Sequence, residues 1–125
     1  MNPADLFRHD SDTITLAAGE TLFRAEEVGR EMFVLIEGSV SILVAGTVVE
    51  QAGPGALLGE MALIEQAPRA ATVVAQTACR LARINERRFH FLIQQTPFFA
   101  SHVMKVLADR LRKMNQRMQR PDPQA

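Results

Sequence analysis

The residues with the clearest capacity for chemistry are Gly59, Glu60 and Arg69. The glycine permits close approach of the backbone, and the residues directly after it are expected to form a one-turn helix. The free N–H groups at the start of a helix favour an anion, and an arginine delivered to the same place can pair two phosphate oxygens at once. A carboxylate beside that arginine would accept a hydrogen bond from a sugar hydroxyl. The segment therefore predicts a pocket for a phosphate attached to a ribose.

Other kinds of chemistry find no support in the residues. His9, His90 and His102 are scattered rather than clustered as a metal site requires, and no Ser/His/Asp order or Walker loop is present. We therefore expect no catalysis, no metal and no cofactor. The single cysteine, Cys79, excludes an internal disulfide and fits a reducing compartment, so a cytoplasmic location is expected.

The net charge of zero hides a strong asymmetry along the chain. Residues 1–65 carry eleven acidic and three basic residues, whereas residues 66–125 carry three acidic and eleven basic ones. A basic surface for nucleic acid is one interpretation, and a solvated basic helix with a few structural arginines is the other. The second is favoured because Trp and Tyr are absent, and no direct binding of nucleic acid is expected. No apolar run approaches the roughly 18 residues of a membrane span, so no membrane contact is expected either.

Short β-rich runs separated by turn residues occupy residues 13–84. Their length and spacing indicate a sandwich or barrel, and we predict a mainly β fold, an eight-stranded β-roll or jelly roll. The runs recognised in the sequence are Thr13–Ala17, Thr21–Phe23, Met32–Ile36, Val40–Val44, Val48–Val49, Ala71–Ala75 and Arg80–Ile84. Residues 1–12 are expected to be a short N-terminal segment, polar and acidic and unlike a secretory signal.

The hydrophobic period changes after Ile84 and predicts two C-terminal helices over residues 85–118. Asn85 can cap the first helix, and Thr96–Pro97 ends or bends it. In the second helix the apolar residues recur with heptad spacing, which predicts a homodimer through residues 98–118; a stripe packed on the chain's own barrel is the alternative. The heptad positions are Ala100, Met104, Leu107, Leu111, Met114 and Met118. Residues 119–125 are expected to be a disordered tail.

The segment from Leu58 to Val73 resembles the phosphate-binding cassette of the cyclic nucleotide-binding domain family. The family pattern is close to Gly-Glu-aliphatic-Ala-Leu, a short loop and Pro-Arg-Ala-Ala, and this chain has Gly59-Glu60-Met61-Ala62-Leu63 and Pro68-Arg69-Ala70-Ala71. The resemblance is closest to the ligand-binding domains of the catabolite activator protein and of the regulatory subunits of cyclic AMP-dependent protein kinase, and it covers residues 13–118. Further matches are Gly29, Gly38, Gly55, Thr77-Ala78-Cys79, Arg88-Phe89, Leu92-Ile93-Gln94, Pro97 and Arg110-Leu111.

The resemblance implies a role for each cassette residue. Arg69 would bind the exocyclic phosphate oxygens and Glu60 the ribose 2′-hydroxyl, while the N–H groups of Ala62 and Ala70 would complete the phosphate cradle. Gly59, which has no side chain, would allow the phosphate to lie close to the backbone. Met61 and Ala71 belong to the same predicted ligand-binding set.

The identity of the base is predicted from two places. Ala70 lacks the threonine hydroxyl of family members that favour cyclic GMP, so cyclic AMP is the expected ligand and cyclic GMP the less favoured one. Arg110, Met114 and Asn115 on the second C-terminal helix are candidate base contacts, because a Thr-Ser pair that touches the purine in the catabolite activator protein is replaced here by Met114-Asn115. The alternative is that Met114 belongs to the heptad seam and Asn115 to solvent.

The predicted function is binding of a cyclic nucleotide, with the C-terminal helix repositioned over the base as the signal to an effector protein that the sequence does not identify. Two alternatives stay open: a regulatory domain of a larger channel, kinase or transcription factor, and a structural dimerisation module that binds no nucleotide. The sequence ends where DNA-binding relatives continue into a helix-turn-helix, so direct DNA recognition is not expected.

Overall fold

The computed structural model describes residues 2–118, without the side chains of Met114, Arg117 and Met118. This part of the chain contains eight strands and four helices. The strands are β1 (Thr13–Leu16), β2 (Thr21–Phe23), β3 (Glu31–Glu37), β4 (Val40–Val44), β5 (Thr47–Ala52), β6 (Leu57–Leu58), β7 (Thr72–Ala75) and β8 (Cys79–Asn85). The helices are α1 (Pro3–Phe7), α2 (Met61–Ile64), α3 (Glu86–Gln95) and α4 (Pro97–Met118).

The strands form two four-stranded antiparallel sheets, with the orders β1-β8-β3-β6 and β2-β7-β4-β5. The core lies between them, because its members come from strands of both sheets. They include Phe33, Leu35, Leu58 and Leu81 from the first sheet and Phe23, Val40, Val73 and Ala75 from the second. The eight antiparallel strands and C-terminal helices confirm the predicted β-roll.

Strand β3 is buried on both faces, which explains its unbroken apolar run from Met32 to Ile36. Phe33 and Leu35 point into the core between the sheets, and the alternate residues Met32 and Val34 are fully buried as well. Helix α1 packs against β3. A strand that is covered on both faces loses the polar alternation of a half-exposed strand.

Helix α1 was not predicted, since residues 1–12 were expected only to form a short polar segment. Asn2 caps the helix by accepting a hydrogen bond from the Ala4 N–H at 2.8 Å, and it donates another to the Pro54 carbonyl at 3.1 Å. Phe7 is 1% exposed. A five-residue helix has too little internal stability to stand alone, so these tertiary contacts define it.

The start of α3 follows the sequence prediction. The Asn85 side chain accepts a hydrogen bond from the Arg88 N–H at 2.8 Å, as expected of an N-terminal cap. The chain divides after Phe91 into two compact units, and α4 belongs to the second. On α4 the seam residues Met104 and Leu111 are 62% and 60% exposed, and Ala100 and Leu107 are half-buried. Met118, the Met114 side chain and the predicted disordered tail, residues 119–125, lie outside what the structure describes.

Candidate functional site

The cassette predicted from the sequence is a continuous excursion between β6 and β7. The chain leaves β6 at Leu58, turns at Gly59, forms the single turn of α2, and returns through a loop that delivers Arg69 before β7 begins at Thr72. The predicted one-turn helix is therefore present. Both ends of the excursion are fixed by sheet pairing, since β6 pairs with β3 and β7 pairs with β2 and β4.

Gly59 is required by its conformation and by its surroundings. Its φ of +77° lies in the left-handed region, which strains any residue with a Cβ. A Cβ at this position would also lie closer than 3.0 Å to Nη1 of Arg69 and 3.2 Å from the Phe23 ring. The glycine therefore leaves the space that the guanidinium occupies.

The backbone of Arg69 is held by the β2–β3 loop, residues 24–30. The Arg69 N–H donates to the Glu27 carbonyl at 2.8 Å, and the Arg69 carbonyl accepts from the Glu26 N–H at 2.8 Å. The Ala25 N–H donates to the Thr72 hydroxyl oxygen at 2.9 Å. These bonds fix the position from which the arginine side chain starts.

The side chain of Arg69 is buried, with 6% of the residue exposed. Nη1 donates a hydrogen bond to the Gly59 carbonyl at 3.2 Å, and Cζ lies 4.2 Å from the centre of the Phe23 ring. The Phe33 ring centre is further away, at 6.0 Å. The guanidinium therefore lies at the edge of the apolar core, directly beside the cassette turn.

Burial lowers the pKa of the Arg69 guanidinium, and the charges of Glu31 and Glu27 oppose this by raising it. Loss of hydration weakens the preference for the charged form, whereas a nearby negative charge strengthens it. A bound anion would act in the same direction as the two glutamates. The charged guanidinium thus depends on neighbouring negative charge to offset the effect of its burial.

Glu60 follows Gly59 at the start of α2 and has 0% of its surface exposed. It makes no side-chain capping bond to its own helix. Among the residues whose burial the structure describes, Glu60 and Arg69 are the two buried polar or charged ones. Charged residues are rarely buried unless they are paired or belong to a functional site, so the burial of these two residues marks the cassette as a candidate binding site.

The remaining cassette residues differ in how well they suit their predicted roles. The Ala62 N–H already donates to the Gly59 carbonyl at 3.2 Å, so it would have to share or exchange that bond to reach a phosphate. Ala70 is exposed at the bend after Arg69, and Met61 and Ala71 are half-buried. Of the predicted ligand set, Gly59 and Arg69 are in direct contact, and Glu60 follows Gly59 in the chain.

The candidate base contacts lie on α4, in the second compact unit. Arg110 is half-buried and Asn115 is exposed, and the side chain of Met114 lies outside the described part of the chain. Their role towards a base stays a prediction.

Phe23 and the β2–β3 loop were not predicted from the sequence as parts of the site. In the sequence, Gly29 was only a match to the family, yet a Cβ there would lie closer than 3.0 Å to Nε, Cζ and Nη2 of Arg69. The fully apolar Phe23 carried no chemical signal in the sequence. Only the fold brings it next to a residue 46 positions later.

Residues 2–118 lack two features that the sequence also did not predict. No group of three or more His, Cys, Asp or Glu residues in this range could hold a metal ion. No helix of the same range is both long and apolar enough for a membrane crossing.

Comparison with known proteins agrees with this geometry. The family model of the cyclic nucleotide-binding domain matches residues 13–96, and the chain belongs to this family. The chain is 40% identical over 96 residues to the cyclic nucleotide-gated potassium channel mll3241 of Mesorhizobium japonicum, covering 77% of this chain and 26% of the channel. It spans about a quarter or less of the length of the first curated relatives that it matches.

The fold is shared with solved structures of other proteins. The Thermus thermophilus catabolite activator protein superposes with a TM-score of 0.77 at 25% identity, covering 86% of this chain and 53% of that one. A structure of PKAR CBD2 bound to Sp-2Cl-cAMPS gives a TM-score of 0.67 at 24% identity, covering 83% and 71% of the two chains, and it supports the fold alone. The resemblance stated from the sequence is thereby confirmed.

Proposed function

We propose that this domain is a receptor for cyclic AMP in which Arg69 binds the cyclic phosphate and Glu60 binds the ribose 2′-hydroxyl. The observation that carries the proposal is the buried guanidinium of Arg69, hydrogen-bonded at 3.2 Å to the carbonyl of Gly59, together with the full burial of Glu60, which follows Gly59 in the chain. A cyclic phosphate bears one negative charge, which one guanidinium and nearby N–H groups are able to neutralise.

The preference for cyclic AMP over cyclic GMP rests on Ala70. Its side chain has no hydroxyl to bond the amino group of guanine, and the residue is exposed after Arg69. One hydrogen bond contributes about 1 kcal/mol, so this position supports a preference of at most about tenfold.

The proposed output is a movement of α4 that a partner or a second copy of the chain detects. The exposed apolar side chains Met104 and Leu111 support association through residues 98–118, because large exposed apolar side chains in a regular stripe favour burial. The proposed role is binding and signalling in the cytoplasm rather than catalysis. The similarity to a potassium channel favours, as a second candidate, a regulatory domain of a larger protein.

Isothermal titration calorimetry with cyclic AMP, cyclic GMP and 5′-AMP tests the proposal. We expect binding of cyclic AMP, weaker binding of cyclic GMP, and little binding of 5′-AMP, whose open phosphate carries a different charge and shape. The absence of heat with all three nucleotides would favour a structural dimerisation module. A preference for 5′-AMP would refute recognition of a cyclic phosphate.

A further inference from the structure

The guanidinium of Arg69 lies in a slot with an aromatic ring on one side and glycines at its other edges. The Phe23 ring centre is 4.2 Å from Cζ. Gly29 adjoins Nε, Cζ and Nη2, and Gly59 adjoins Nη1, so closely that a Cβ at either position would lie less than 3.0 Å from those atoms. Phe23, Gly29 and Gly59 therefore border the guanidinium and limit the orientations that it can adopt.

An aromatic ring at this distance attracts a cation through its negative face, and the attraction is larger where water is excluded. Phe23 is 8% exposed and Arg69 is 6% exposed, so the contact is largely desolvated. A planar guanidinium held against a ring also loses rotational freedom before any ligand arrives. Such preorganisation lowers the cost of binding.

We propose that Phe23 is a positioning residue for anion recognition, which fixes the Arg69 guanidinium in its binding orientation, and that Gly29 is the residue that leaves room for it there. This inference rests on the proposed function. Phe23 acts through Arg69 and need not touch the ligand itself.

The competing interpretation is that Phe23 serves the core alone. It belongs to the core cluster together with Phe33, whose ring is also near the arginine but at 6.0 Å. Phe33 is therefore a matched control, because replacing either phenylalanine by leucine removes a ring from the same core. Only the change at position 23 removes the close cation–π contact.

The test is a double-mutant cycle measured by calorimetry with cyclic AMP. We expect Phe23→Leu to weaken binding about tenfold, which corresponds to about 1.4 kcal/mol, and Phe33→Leu to weaken it less than about threefold. In an Arg69→Ala background, Phe23→Leu should have no further effect on affinity, because the residue through which it acts is gone. Thermal unfolding of each variant checks that the domain is folded.

Equal losses of affinity for Phe23→Leu and Phe33→Leu would overturn the inference, as would a Phe23→Leu penalty that persists without Arg69. These outcomes leave the proposed function intact as long as Arg69→Ala weakens binding. If Arg69→Ala leaves affinity unchanged, the proposed function itself fails.

Gly29→Ala provides a second test, because this position lies outside the hydrophobic core. We expect at least a tenfold loss of affinity, because the added methyl group displaces the guanidinium. Gly53→Ala is its control, since a Cβ at Gly53 meets no atom within 4 Å. Equal affinity of the Gly29→Ala and Gly53→Ala variants would contradict the role given to Gly29.

Discussion

Glu60 is wholly buried directly after the glycine whose carbonyl accepts the hydrogen bond from Arg69. A buried carboxylate discriminates strongly between ligands that do and do not offer it a hydrogen bond, because a buried acceptor that loses its donor costs about 1–3 kcal/mol. At the scale of single residues, the proposed function assigns the attraction for phosphate to Arg69 and the selection of the sugar to Glu60.

The selection by Glu60 is open to direct measurement. We expect the wild-type domain to prefer cyclic AMP over its 2′-deoxy analogue by about tenfold or more, and Glu60→Gln to narrow that preference. Calorimetry with both ligands measures the ratio. Glu65→Gln, an exposed change at the end of the same short helix, is the control. An unchanged ratio in Glu60→Gln would exclude contact between this carboxylate and the 2′-hydroxyl.

At the scale of elements, the β2–β3 loop and the cassette act as one structural unit. The loop holds the backbone of Arg69 through Glu26 and Glu27 and borders its side chain through Gly29. Glu26 adopts a left-handed φ of 73°, a conformation that is uncommon for a residue with a side chain. The paired hydrogen bonds to Arg69 hold the loop in this conformation.

A second group of contacts fastens the N-terminal segment to α3. Arg88 donates to both carboxylate oxygens of Asp10, and its Cζ lies 5.4 Å from the centre of the Phe7 ring. The Arg88 hydrogen bonds lower the pKa of Asp10, despite the opposing effect of burial, and the same pair raises the pKa of Arg88. A carboxyl whose pKa is lowered on folding stabilises the fold above its ordinary value of 3.8, and this stabilisation is lost as the pH falls through the lower pKa of the folded state.

Asp10→Asn should therefore lower the free energy of unfolding by about 1–2 kcal/mol near neutral pH. The difference from wild type should begin to shrink as the pH falls below the ordinary carboxyl pKa of 3.8, and it should vanish once the pH passes the lower pKa of the folded state, where Asp10 of the wild-type protein is also protonated. Urea denaturation at several pH values measures both effects. Asp5→Asn, which alters an exposed ion pair with Arg8, should change stability by less than about 0.5 kcal/mol. A difference for Asp10→Asn that does not depend on pH would disprove this electrostatic role.

For the molecule as a whole, the sequence predicted what is local and missed what depends on distant contacts. The cassette was predictable because its glycine, glutamate and arginine lie within eleven residues of chain. The strand Leu57–Leu58 was too short to recognise, and α1 depends on Asn2 and Phe7 contacting distant segments. The place of Phe23 against Arg69 follows from the pairing of β2 with β7, which no local pattern reveals.

Association through α4 is a prediction about the whole molecule. If the exposed seam forms a dimer, Leu111→Lys should shift the protein to monomer at concentrations where the wild type is dimeric, because it would place two charges in an apolar contact. Sedimentation velocity over a range of concentrations measures this. Gln116→Lys adds the same charge at an exposed position off the seam and should leave the association unchanged. A wild-type chain that is monomeric at all concentrations tested would rule out dimerisation through the heptad residues of α4.

The most direct test of the account is the affinity of Arg69→Ala for cyclic AMP, compared by calorimetry with wild type and with Arg87→Ala, a change of an exposed arginine on α3. We predict that Arg69→Ala binds cyclic AMP more than tenfold more weakly than wild type, because the guanidinium that it lacks is the proposed phosphate-binding group. Arg87→Ala should bind cyclic AMP like wild type. A folded Arg69→Ala domain with undiminished affinity would contradict it.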